Sequence, residues 1–129
     1  MKRAALLPAL WACAGTMACE LPQGEPQITS GDGAIVLSLR AEPGGFVVDR
    51  LFSLIVHACS RTPLSALTVD AHMPEHRHAM NYKPSVTTTA PGTWRADGLL
   101  LHMPGKWEFV LVAVIEGRTE RLTHVVQIQ

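Results

Sequence analysis

Lys106-Trp107-Glu108-Phe109-Val110-Leu111-Val112-Ala113-Val114-Ile115, closed by Glu116-Gly117, is the stretch on which the fold turns. Trp107, Phe109, Leu111, Ala113 and Ile115 fall on one face if the chain is extended, because successive side chains of a strand point to opposite sides. The other face opens with Glu108 and continues as Val110, Val112 and Val114. A run that is apolar on both faces is expected at the centre of a sheet, covered from both sides.

Working outward, six further runs are bounded by turn residues: 33–41, 50–60, 65–72, 84–89, 93–102 and 118–128. Phe52, Leu54, Val56 and Ala58 share a face in the second of these, with Ser53 and His57 opposite. Leu122, Val126 and Ile128 mark the inward face of the last. Pro43-Gly44-Gly45, Pro91-Gly92, Pro104-Gly105 and Glu116-Gly117 stand between runs, and Pro-Gly suits the two central positions of a type II turn. No segment carries a helical period of useful length. Short strands at this spacing predict an all-β fold, an immunoglobulin-like antiparallel β-sandwich of about seven strands over residues 33–129.

The first eighteen residues carry an address. Lys2 and Arg3 precede the apolar stretch Ala4–Leu10 and Trp11, and small residues surround Ala18. This is the pattern of an export signal, too short to span a bilayer. Ala18-Cys19 also resembles a bacterial lipoprotein processing site, so the mature chain is expected to be periplasmic or anchored through lipid on Cys19. Residues 19–32, rich in Pro, Gly, Gln and Ser, read as a flexible tether. Cys13 lies in the signal and Cys59 has no obvious partner, so no disulfide framework is expected. Lys and Arg balance Asp and Glu at 11 each. Without Lys2 and Arg3 the balance turns slightly acidic, with no basic cluster for nucleic acid or a membrane surface. About 110 residues then remain, enough for one domain that folds unaided, expected as a monomer.

Chemistry concentrates in two phrases, His72-Met73-Pro-Glu-His76-Arg-His78-Ala-Met80 and His102-Met103-Pro-Gly105, which hold four of the six histidines and three of the five methionines. Thioether sulfur favours Cu(I) and imidazole accepts both Cu(I) and Cu(II), whereas zinc, calcium and magnesium favour thiolate or oxygen company. In an antiparallel sandwich the third and fifth runs finish at the same end, which would bring the two phrases together. The ligand set expected from this is Met73, His76, His78, Met80, His102 and Met103. His72 and Met73 alternate faces, and Met73 is the one expected to point inward. His57 and Cys59 close a strand at the opposite end, and His124 sits mid-strand as a core or half-buried histidine. The competing reading makes Met73, Met103 and Trp107 a cap on the core and His76-Arg77-His78 an exposed polar loop.

Met73-Pro-Glu-His76-Arg-His78-Ala-Met80 and Gly98-Leu-Leu-Leu-His102-Met103-Pro-Gly105-Lys-Trp107 resemble the YtkA-like domain family of small exported bacterial proteins and, more distantly, the periplasmic domain of FixH-type proteins. The resemblance covers roughly residues 33 to 128; Ala79 stands where the family typically has Gly. It implies an immunoglobulin-type sandwich, a copper role, and partners among copper-handling or respiratory oxidase assembly proteins. Two functions follow: an exported protein that holds or delivers copper, or a metal-free interaction module of the cell envelope. An enzyme is not expected, since no Ser-His-Asp order, nucleophile elbow or close carboxylate pair is present.

Overall fold

The computed structural model describes residues 19–129; the expected export signal lies outside them. Two antiparallel sheets face each other. Nine strands are found among the described residues: β1 (Gln27–Thr29), β2 (Ile35–Glu42), β3 (Phe52–Ser60), β4 (Ala66–Met73), β5 (His78–Ala79), β6 (Ser85–Ala90), β7 (Thr93–Leu99), β8 (Gly105–Ile115) and β9 (Arg118–Ile128). One sheet runs β1-β2-β3-β7-β6 and the other β5-β4-β8-β9. The expected all-β sandwich is therefore present, with two short strands more than the seven read from the pattern.

The deciding stretch is β8, flanked by β4 and β9 as a central strand should be. Trp107, Phe109, Leu111 and Ala113 are fully buried and Ile115 nearly so. They face Leu37, Leu39, Leu54 and Val56 of the other sheet across one continuous core. The outward face is covered less than expected: Val110 is buried, but Val112 and Val114 are only half-buried. Among the described residues the two sheets are the only layers. The β8–β9 hairpin turns at Glu116 and Gly117, both with positive φ (48° and 74°). That is the two-residue turn whose twist matches the flanking strands.

The N-terminal segment differs from its expected role as a tether. Gln27–Thr29 adds an edge strand, with Ile28 opposite Leu37. Ahead of it, the Glu25 carboxylate accepts from the Ser38 hydroxyl at 2.8 Å and meets the Arg40 guanidinium at 3.2 Å. Cys19 is disulfide-bonded to Cys59, 40 residues away. The expectation that Cys59 lacks a partner is thus corrected. The chain before β1 folds back over the outward face of the first sheet, where Cys59 sits at the end of β3. Residues 19–26 form a strap fixed at both ends.

Candidate metal corner

β4 and β7 finish at the same end of the sandwich, and this is where the histidines collect. After Met73 the chain turns back tightly, with His76 N–H donating to the Met73 carbonyl at 3.2 Å and Arg77 at φ 52°. The returning residues pair as β5, His78 opposite Met73 and Ala79 opposite His72. Opposite residues in a ladder share a face, so His78 stands beside Met73 on the inward side. Met80 N–H continues the ladder to the Ala71 carbonyl at 3.2 Å. Its side chain packs against the core.

The second phrase arrives from the other sheet. β7 ends at Leu99, three residues earlier than expected, so His102 and Met103 lie in the connection to β8. Trp107 holds this connection: its indole Nε1–H donates to the Met103 carbonyl at 2.9 Å. A buried indole needs such a partner. The His102 ring stands edge-on to Trp107, with centres 5.4 Å apart. Its Nδ1 is buried and has no hydrogen-bond partner within the protein.

The two phrases meet. The His78 and His102 rings lie 6.2 Å apart and the His76 and His78 rings 6.4 Å apart. Two imidazoles on one ion, with nitrogens about 2 Å from it, have ring centres roughly 4.5 Å apart at a right angle and roughly 6.3 Å apart when opposed. The His78–His102 pair stands at the far limit of that span and the His76–His78 pair just beyond it, so all three rings share one ion only if the turn closes in. Among the described residues, no three His, Cys, Asp or Glu side chains are already gathered at metal-binding distance. The corner is an open chain of three imidazoles rather than a closed cage. His76 and His78 are exposed, while His102, Met80 and Met103 are half-buried. Met73 is wholly buried, and its Cε lies 2.7 Å from where a Cβ on Gly105 would stand.

The remaining histidines are placed elsewhere. His72 points outward, opposite Glu108 on β8, with Nε2 3.5 Å from the carboxylate. His57 pairs with Thr93 at the far end of β3 and β7. Its Nδ1 lies 3.3 Å from the Thr93 hydroxyl. His124, opposite Phe109, is half-buried, and desolvation lowers its pKa below 6.5.

Charged side chains form their densest cluster on the outward face of the first sheet, and they satisfy one another. Arg95 bridges Glu42 and Asp97, each at 2.8 Å. The Ser53 hydroxyl, followed by Arg95, holds the Asp97 carboxyl below its ordinary range. Arg40, followed by Arg95, does the same for Glu42. With every charge paired, this cluster offers no free acid, base or anion site.

No family model, curated protein or solved structure matches the chain.

Proposed function

We propose that this domain is an exported copper-binding protein that holds copper at the His76–His78–His102 corner and passes it on. The observation that carries the reading is the His102 ring, with a buried, unpartnered Nδ1, 6.2 Å from the His78 ring. Buried polar atoms are nearly always satisfied, and a metal ion is one partner that would satisfy this one. Met80 and Met103, from the same two phrases, would supply soft donors suited to Cu(I), while Met73 is wholly buried as packing. Copper bound here would link the two sheets, with His102 held against Trp107 and His76 and His78 supplied by the turn. The resemblance to YtkA-like domains points the same way, toward partners in copper handling or respiratory oxidase assembly and a place in the cell envelope.

Calorimetric titration of the folded protein with Cu(I) and with Cu(II) tests this. His76→Ala combined with His78→Ala should weaken binding at least about tenfold, as loss of supporting groups alone can do at metal sites. Affinity no tighter than that of a His-poor control domain, or unchanged in the double variant, would sink the proposal.

A second reading is favoured by the complete burial of Met73 and by the Trp107–Met103 hydrogen bond. Both features cap the core whether or not metal binds. On that reading the domain is a metal-free envelope interaction module, and the histidine variants would leave its partner binding intact in the presence of a copper chelator.

A further inference from the structure

A cavity lies away from the candidate metal corner. Between the two sheets, at the edge where β2 faces β9, is a cleft of about 410 Å³. Leu39, Ala41, Leu54 and Phe109 line its interior, Phe46 reaches in from the loop after β2, and residues 23–26 of the strap form one wall. A Cβ added at Gly24, Gly44 or Gly45, all on its walls, would meet nothing within 4 Å. The volume is within the range of small-molecule sites.

The lining specifies what would fit. Phe46, Phe52 and Phe109 pack as a trio with ring centres 5.4, 5.4 and 6.3 Å apart. Phe46, half-buried, presents the edge of that trio to the cleft, backed by the wholly buried Phe109, and aromatic rings prefer offset or edge-on aromatic neighbours. Among the described residues the ionisable side chains on the lining are Glu25, Arg40 and His124. Glu25 is occupied by Ser38 and Arg40, and Arg40 by Glu25 and Glu42. Each is already ion-paired, so neither stands as an isolated counter-ion for a ligand. Desolvation lowers the His124 pKa, and the neutral imidazole offers one N–H donor and one acceptor nitrogen.

We infer that this cleft is a binding site for a small, neutral aromatic compound bearing one hydroxyl or N–H group, of the phenol or indole class. Its ring sits against Phe46 and its polar group bonds to His124. A charged ligand is disfavoured, because the apolar interior would desolvate its charge without a free counter-ion. The site is independent of copper, and its test does not involve the metal corner.

The test is an NMR titration of the metal-free protein with 4-methylphenol and indole, against benzoate and benzylammonium as charged analogues of similar size. The expected result is saturable one-to-one binding of the neutral probes, with a Kd of about 1 mM or tighter for ligands this small. Intermolecular NOEs should connect the probe to the Phe46 and His124 rings. His124→Leu should weaken 4-methylphenol about three- to tenfold, the weight of one hydrogen bond, while sparing toluene. Ala41→Phe, which fills the cleft, should abolish binding. Should that variant fail to fold, the NOEs in the unaltered protein decide the matter. Absence of saturation, NOEs to other residues only, or equal affinity for the charged analogues would overturn the inference.

Discussion

Reducing the Cys19–Cys59 bond is the cleanest perturbation the fold offers, because it removes no atom from the core. The bond closes a loop spanning a sequence separation of 40 residues. The chain-entropy relation for a loop of that length gives about 4 kcal/mol of stabilisation at 25 °C, within an observed range of about 0 to 5. The working figure is lower, about 2–4 kcal/mol, because real denatured chains are more compact than the relation assumes. Urea unfolding followed by tryptophan fluorescence, with and without a thiol reductant, measures it. For a domain of this size the urea dependence is about 1–2 kcal/mol per molar, so the midpoint should fall by roughly 2 M on reduction. Intact mass with alkylation runs alongside. It should find no free thiol at Cys19 or Cys59 before reduction and two after it. The same spectrum bears on anchoring, since one sulfur carries either a disulfide or a thioether-linked lipid. Equal midpoints in both states, or two free thiols in protein made in an oxidising compartment, would refute the reasoning.

Three further outcomes are expected. Gly105→Ala places a Cβ 2.7 Å from Met73 Cε at a φ of 128°. It should cost about 1–3 kcal/mol as an overpacked and strained site, read by thermal unfolding, with a smaller cost in a Met73→Ala background. Trp107→Phe removes the hydrogen bond to the Met103 carbonyl. It should destabilise the protein by about 1–3 kcal/mol, and calorimetry should show copper binding weakened by roughly tenfold through the loosened His102 connection. His124 has a folded pKa below its ordinary 6.5 through desolvation, so as pH falls below that value the unfolded chain takes up the proton first. Its contribution is therefore complete above about pH 6.5 and declines as pH falls toward the folded value. A urea series from pH 7.5 to 5 should show this slope, and His124→Gln should flatten it.

The alternation in Lys106–Ile115 was enough to place the central strand because period-two burial is a local signal. So was the inward face of β3, where Phe52, Leu54 and Val56 are all buried. The meeting of the two His/Met phrases followed from strand direction alone, and the 6.2 Å between His78 and His102 agrees with it. What escaped the sequence was non-local or too short. β5 has two residues and β1 three, fewer than any periodicity can reveal. The Cys19–Cys59 bond depends on the strap folding back past β2 to β3, and composition alone made that strap look like a tether. Gly98, at φ 86°, stands one residue before the end of β7, and a lone glycine in an apolar run did not announce that end. The cleft beside His124 was hidden for a related reason. It exists because Phe46 enters from a loop far from β9 in sequence.

The metal corner is asymmetric, and the asymmetry bears on what copper would do there. His102 is tied to the buried core, through Trp107 at 0 % exposure and its bond to the Met103 carbonyl. His76 and His78 hang on the opposite kind of support: a tight turn and a two-residue strand at a sheet edge, exposed to solvent. Edge elements with few buried contacts open at lower free energy than core strands. One donor is therefore buried against the core while two approach from an exposed sheet edge, and any ordering that edge undergoes on binding would lower affinity below that of a fully preorganised set. It also leaves a way out, because an acceptor can displace the exposed imidazoles while the buried side keeps hold of the ion. A closed cage built entirely on β4 and β8 would retain copper more tightly and release it more slowly. On the copper reading, this corner is built for exchange.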